Sequence, residues 1–334
     1  MSDRKNQFVL TATPLRLSFA GGGSDFKNFY ELHEGAIVSS CINKEIFVTV
    51  KRHNKIFNEK FRLNYSSSEI VNEVKEIRND IARECIKLVG INYPIYISTI
   101  ADLPEKSGLG SSSSFCVGLL RALFELEGKI ISNEELLKYS IEIELDILKR
   151  PMGIQDQLAA VYGGLNFFKI KNDGSVEIIE SKISDSKISS KIFDKLILFW
   201  TSIQRDSSDI LSEQESNIKN NFDNLIFLKN QCIDLWELLN TDFTSHQLGN
   251  LIEAGWERKV QLASKISNPK ILDMYDRCKL SGADGGKLSG AGGGGFFLII
   301  CDESRRDNII TEMSDYQKID IDFNPLGSRV LISR

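Results

Sequence analysis

Histidine is scarce in this 334-residue chain: there are three, at positions 33, 53 and 246, far apart and without zinc-ligand spacing. Zinc held by imidazoles therefore has no support, and any metal chemistry falls to oxygen ligands and a hard cation. Cysteine is no more suggestive. Its six residues (41, 85, 116, 232, 278 and 301) form no C-x-x-C pair and sit mostly in apolar runs, so they read as reduced, buried thiols of a cytoplasmic protein. No long Lys/Arg tract occurs and the net charge is −5, which leaves nothing to attract nucleic acid. No apolar signal core follows Met-Ser-Asp-Arg-Lys-Asn-Gln, and no window approaches a membrane span. Internal repeats and low-complexity segments are absent too. What remains is an ordinary soluble composition, 42% apolar and 26% charged, at a length for which two domains are expected.

What the chain does have is glycine in three clusters. The first, Gly21-Gly22-Gly23-Ser24-Asp25-Phe26, follows a strand expected over 8–19, with Leu15, Leu17 and Phe19 on one face and Arg16 and Ser18 on the other. The second, Pro104-Glu-Lys-Ser-Gly108-Leu-Gly110-Ser111-Ser112-Ser113-Ser114, lies between a strand at 95–101 and an apolar helix running to about 126. A strand, a glycine turn and a helix start leave outward-pointing N–H groups at the positive end of a dipole, which suits a phosphate. A serine-capped helix start accounts for the same residues equally well.

The third cluster spans Ser281 to Gly295. Gly290, Gly292 and Gly295 satisfy G-x-G-x-x-G, but the expected order is helix, glycines, strand Gly295–Cys301, whereas a dinucleotide fingerprint needs a helix after the glycines. Gly286-Lys287 only partly imitates a Walker A ending, and no protein-kinase motif set is present. A loop so stripped of Cβ atoms admits the close approach of another backbone or a phosphate.

Elsewhere, strands are expected over 36–50 and 61–65, and a helix over 68–89 with Ile70, Val74, Ile77, Ile81 and Cys85 as its stripe. Ser132-Asn-Glu-Glu135 is a capping box opening a helix that must stop before Pro151. On it Glu144 shares the apolar stripe of Leu137, Ile141 and Leu148, a costly place for a carboxylate unless it is paired, binds a cation or snorkels from the margin. Asp156 reads as a first-turn acid of a short helix after Gly153. A hairpin or connector (171–190), a strand (195–201), helices at 208–217, 222–240, 245–267 and 269–280, and a strand at 328–332 complete the expectation.

Taken in order, Pro14-Leu-Arg16-Leu-Ser-Phe-Ala-Gly21-Gly-Gly-Ser24-Asp25, Pro104-x-x-x-Gly108-Leu-Gly110-Ser111-Ser112 and Leu288-Ser-Gly290-Ala-Gly292-Gly-Gly-Gly295 resemble the three motifs of the GHMP small-molecule kinases. The likeness spans nearly the whole chain. Within the family, Ser-Phe-Ala-Gly-Gly-Gly-Ser-Asp25 and Gly153-Ile-Gln-Asp156-Gln157-Leu-Ala-Ala-Val-Tyr-Gly-Gly-Leu-Asn look most like the branch that phosphorylates D-glycero-D-manno-heptose 7-phosphate at its anomeric hydroxyl for surface-polysaccharide precursors. Galactokinases carry a glutamate where this chain has Gly22, which argues against galactose.

The resemblance implies an α+β, two-domain GHMP kinase fold: a ribosomal-protein-like N-terminal domain over 1–185 for ATP, metal and catalysis, and a ferredoxin-like C-terminal domain over 186–334. It implies that Pro104, Gly108, Leu109, Gly110, Ser111, Ser112 and Ser113 hold ATP and that Ser112 and Glu144 ligate Mg²⁺, with Glu142 as the fallback. Asp156 would act on the acceptor hydroxyl as base or orienting group, with Arg16 keeping it ionised. Gly22, Gly23, Ser24, Asp25, Gly292 and Gly293 would line the acceptor site. A phosphorylated acceptor also needs cations at its far end, for which Arg205, Arg258 and Lys259 are available. The partners expected are ATP and a sugar phosphate, with no nucleic acid or membrane and a homodimer left open. The rivals are another sugar 1-kinase, such as a fucose-like one, and an idle sugar or nucleotide sensor.

Overall fold

A computed structural model describes residues 6–54, 56–204 and 207–334. Its larger sheet is built on two long strands, β1 (Phe8–Ala20) and β2 (Gly35–Arg52), joined through the first glycine loop and α1 (Lys27–His33). They pair antiparallel from Phe8↔Lys51 to Ala20↔Val38, with a register shift between Pro14 and Leu15. Pro14 has no N–H to give the ladder, so a bulge at this point is expected. The outer edge of β2 is shared. Its first part pairs with β6 (Leu165–Ile170), which turns into β7 (Val176–Glu180), and its second part pairs with β5 (Ile95–Ala101). Beyond β5 come β3 (Phe61–Asn64), parallel to it, and β4 (Ser68–Val71).

Helices α2 (Asp80–Val89), α3 (Ser111–Leu126), α4 (Asn133–Ile141) and α5 (Gln155–Tyr162) belong to this half. Leu119, Leu120 and Leu123 of α3 are fully buried with Val48, Val50 and Leu17 of the sheet. The helix is also stitched to β1, because Thr11 Oγ1 donates to Gly118 O at 3.0 Å and Ser114 Oγ to Pro14 O at 2.8 Å. The start of α3 is thereby fixed relative to Arg16.

The second half carries α6 (Asp185–Lys191), β8 (Leu196–Trp200), α7 (Ser208–Ser216), α8 (Phe222–Leu239), α9 (Ser245–Lys259), α10 (Pro269–Leu280), β9 (Gly285–Leu288), β10 (Phe296–Ile300), α11 (Glu303–Glu312) and β11 (Gln317–Ile319). Its sheet is wholly antiparallel in the order β11-β8-β10-β9. The last strand, β12 (Arg329–Ser333), returns to pair with β1 in the first sheet. All six cysteines are buried and free. Among the described residues no helix is long and apolar enough to cross a membrane.

Three local expectations are corrected. Residues 68–89 are not one helix: β4, a 3-10 turn (Val74–Glu76) and α2 replace it. Ile70 points outward, and the buried Glu69 carboxylate accepts the backbone N–H groups of Arg78 (2.6 Å) and Asn79 (2.9 Å), so the chain bends before Asn79 caps α2. Helix α9 ends at Lys259 instead of running to 267, because Asn221 and Glu213 capture the backbone at Leu262 O and Ser264 N. The third glycine cluster contains strand β9, so it is the turn of a β-hairpin; no helix follows, and the dinucleotide fingerprint stays excluded.

Candidate active site

A cleft of about 660 Å³ runs along the seam of the two halves. At its centre is Asp156, in the first turn of α5. Arg16 Nε and Nη2 both donate to Asp156 Oδ1, at 2.8 and 2.5 Å, while Arg16 Nη1 donates to Gly108 O at 2.8 Å. Arg16 is almost completely buried, and its own backbone N–H donates to Leu109 O at 3.1 Å. One guanidinium therefore ties β1, the second glycine loop and α5 together. The fork holds the carboxylate through one oxygen and leaves Oδ2 for another partner. Gly110 belongs at this point, since a Cβ there would reach to 3.3 Å from Asp156 Cγ and its φ is +82°.

The start of α3 bears on the serines. Gly110 is the capping residue and no side chain caps the helix. Ser114 bonds back to Pro14, and Ser112 Oγ donates to Glu144 Oε1 at 3.0 Å. None of the serines serves as the cap, so no side chain takes up the first-turn N–H groups at the helix's positive end, an arrangement that suits an anion. Gly108, Gly110, Ser111 and Ser112 line the cleft. Pro104 is exposed and lies outside the lining, and the side chains of Leu109 and Ser113 are buried.

Glu144 is fully buried within a π-helical turn (Glu142–Ile147) that continues α4. Ser112 and Gln157 Nε2 (2.7 Å to Oε2) hydrogen-bond its carboxylate, and Arg150 Nη1 stands 3.4 Å from Oε1. Burial raises its pKa, and these partners only partly oppose that. Such a group is short of positive charge. A carboxylate and a serine hydroxyl in contact form an oxygen donor set for a hard divalent cation. Among the described residues no cluster of three or more metal-ligating side chains exists, so nucleotide and water would supply the remaining ligands. Neither Glu144 nor the fallback Glu142 is among the residues lining the cleft; Glu144 lies behind Ser112, which is.

Arg150 itself went unnoticed in the sequence. It bridges Glu144 to Asp80, whose Oδ1 is 3.0 Å from Nη2, beside the cleft wall formed by Tyr65, Asn79, Ile81 and Phe115. A buried carboxylate in need of a cation was the available signal.

Asp25 is placed differently from the expectation. It is fully buried, Gly23 N donates to its Oδ1 at 2.9 Å, and Gln155 N donates to its Oδ2 at 3.1 Å. Burial raises its pKa foremost, with Asp156 adding to the rise. It braces the first glycine loop against the start of α5 and does not line the cleft. Ser24 is likewise internal, its hydroxyl 2.8 Å from Gly21 O and 2.9 Å from Ala36 O. Gly22, Gly23 and Gly292 do line the cleft, whereas Gly293 donates its N–H to Ile266 O.

The third glycine loop meets the second backbone to backbone. A Cβ on Gly108 would come within 2.6 Å of Ser289 O, and one on Gly290 within 2.5 Å of Gly108 Cα. The close approach that the glycine richness demanded is therefore to another loop. Of the three cations considered for an acceptor phosphate, Lys259 lines the cleft, Arg258 is exposed beside Asn224 and Phe227, and Arg205 lies outside the described residues.

Residues 72–164 match the GHMP kinases N terminal domain and residues 237–319 match the GHMP kinases C terminal. The chain belongs to the GHMP kinases. Its two-domain fold is the family's fold, and it is an ATP-dependent kinase of a small molecule. The N-terminal match contains Gly108 to Ser114, Glu144 and Asp156, and the C-terminal match contains Lys259 and the third loop. Arg16 and Asp25 precede both matches and are tied to the GHMP kinase site by the bonds described above. The chain is 29% identical to a D-glycero-alpha-D-manno-heptose 7-phosphate kinase of Campylobacter jejuni over 95% of this chain and 96% of that protein. It is 25% identical to a mevalonate kinase of Saccharolobus solfataricus, covering 87% and 90% of the two chains. Among solved structures, a D-glycero-D-manno-heptose 1-phosphate kinase from Bacteriodes thetaiotaomicron superposes with a TM-score of 0.80 at 22% identity, over 97% of this chain and 99% of that one.

Proposed function

We propose that this GHMP kinase is a sugar-phosphate kinase that transfers the γ-phosphoryl group of ATP to the anomeric hydroxyl of D-glycero-D-manno-heptose 7-phosphate. The observation that carries the reading is the placement of Asp156: its carboxylate is anchored by Arg16 through one oxygen, and the other faces the head of α3, where phosphate would lie. Asp156 Oδ2 orients the acceptor hydroxyl and takes its proton as the new O–P bond forms, and the electron pair of the broken P–O bond leaves with ADP. Arg16 holds Asp156 in position and offsets charge on the transferring group. Ser112 and Glu144 would hold Mg²⁺, which when bound would supply positive charge against the nucleotide phosphates.

The choice of acceptor is supported by the heptose-phosphate kinase relative and by the bare rim at Gly22, which leaves room for a long sugar. The test is ³¹P NMR on purified protein with heptose 7-phosphate, ATP and Mg²⁺. A new anomeric phosphate resonance is expected, and its absence overturns the acceptor. Faster turnover of an unphosphorylated sugar such as fucose would move the activity to a plain sugar 1-kinase.

A further inference from the structure

An acceptor that already bears a phosphate brings a second anion into the cleft, separate from the phosphates of the nucleotide. Resting on that reading of the acceptor, we propose that Lys259 is the residue that grips the acceptor's own phosphate, and that it does so while holding the third glycine loop in place.

Lys259 is the last residue of α9, only 8% exposed, and lines the cleft. Its ammonium donates to the carbonyl oxygen of Gly290. Among the described residues no carboxylate forms an ion pair with it. A lysine ammonium has three donors, so one bond to a carbonyl leaves two for an anion. An enclosed cation without a counter-charge is expensive in a resting protein, and a dianionic ligand would relieve that expense.

Among the described residues, which leave out Arg205, the other cations of the cleft are committed or lie elsewhere. Arg16 is engaged by Asp156 and Gly108 O, and Arg150 by Glu144 and Asp80. Lys106 and Lys149 are exposed, on the nucleotide loop and next to Arg150. Arg258 faces outward, stacked over Phe227 at 5.0 Å.

Position within the cleft fits the same role. Lys259 feels the fields of Arg16, Asp25 and Asp156, yet it makes no hydrogen bond or ion pair with Asp156. Gly22 and Gly23 line the same cleft and bring no side chains into it. A sugar with its anomeric oxygen at Asp156 and its phosphate on the opposite end of the carbon chain needs a second cation in the cleft, and Lys259 supplies one. Burial brings the lysine's pKa down to about 8, with Arg16 acting in the same direction, and a bound phosphate would push it back up.

The bond to Gly290 adds a consequence. Gly290 abuts Gly108 of the nucleotide loop, so phosphate binding at Lys259 bears on the loop that borders the donor site. An acceptor without the phosphate loses the grip, while the lysine's bond to Gly290 is there without any ligand.

The experiment measures kcat/KM for heptose 7-phosphate and for unphosphorylated heptose, with saturating ATP and Mg²⁺, in wild type, Lys259→Met and Lys259→Arg. Thermal unfolding confirms that each variant folds. Wild type is expected to prefer the phosphorylated sugar. Lys259→Met should reduce that preference by about 10- to 100-fold, as for one charged hydrogen-bonding contact, and Lys259→Arg should keep most of it. Should the methionine variant not fold, Lys259→Gln, which retains an amide donor for Gly290, replaces it. A methionine or glutamine variant that keeps the wild-type preference overturns the role of Lys259 and leaves the acceptor standing. A wild type that prefers the unphosphorylated sugar overturns the acceptor and the lysine's role with it.

Discussion

Both oxygens of a carboxylate are equivalent in free solution; at Asp156 they are not. Arg16 consumes Oδ1 with two donors, and Oδ2 is left facing the cleft. An amide in its place could still accept from Arg16 but would take no proton and carry no charge. Asp156→Asn is therefore expected to lower kcat by about 100-fold or more with little change in KM, measured by steady-state kinetics in both substrates. Equal loss in binding and rate would mean that the residue only holds the sugar. Glu144 calls for a different measurement. Burial raises its pKa, so ionising it costs the folded protein stability until a cation arrives. Glu144→Gln should raise the melting temperature of the nucleotide-free protein and abolish the Mg²⁺-dependent stabilisation by ATP. An unchanged response to Mg²⁺ would remove Glu144 from the metal site. In the sequence only Glu144 stands out against its local pattern, as a carboxylate on an apolar stripe, whereas Arg16 and Asp156 draw their expected roles from the family resemblance. Asp25 was misplaced because a carboxylate after a glycine run looks the same in sequence whether it meets a ligand or, as here, the N–H groups of Gly23 and Gln155.

At the level of elements, the decisive construction is the contact between two glycine loops. Gly108 has φ +80°, and a side chain there would press on the carbonyl of Ser289 in the opposite loop. Gly108→Ala combines backbone strain with displacement of that loop, at an expected cost of about 1–3 kcal/mol. The measurement is thermal unfolding together with KM for ATP: the melting temperature should fall and KM should rise. A stable variant with unchanged KM would show that the loops yield without consequence. Long regular elements were legible in the sequence, β1 and α3 above all, because period and length agree in them. Short ones were not. β9 hides among glycines since its pairing with β10 comes from the hairpin and owes nothing to propensity. The 68–89 stretch shows an apolar stripe of helical period, and only the tertiary partners of Glu69 break it. The end of α9 was equally hidden, although it places Lys259, because side chains from α7 and α8 set it.

For the molecule as a whole, the cost of building the cleft is a core that encloses cations. Lys287 on β9 is buried, donates to Phe19 O at 3.1 Å, and has its pKa pushed far down by burial, with Lys259 and Arg16 adding to the fall. Lys259 shares the predicament with a pKa of about 8. A lysine of the unfolded chain titrates near 10.5, the ordinary value for the group. Between about pH 8 and 10.5 the unfolded state therefore holds a proton at position 259 that the folded state has released. Stability must then rise with pH through that window on account of this residue, and the full penalty applies below it. Other groups titrate over the same range, so the informative quantity is a difference between proteins. Chemical denaturation of wild type and Lys259→Met at pH 7, 8, 9 and 10, in the absence of ligands, should show stability changing in favour of wild type as the pH rises. The lost bond to Gly290 offsets the whole series equally and does not alter its slope. A difference that stays constant, or moves towards the methionine variant, would mean that Lys259 keeps its proton in the folded protein and that its charge is balanced within the cleft.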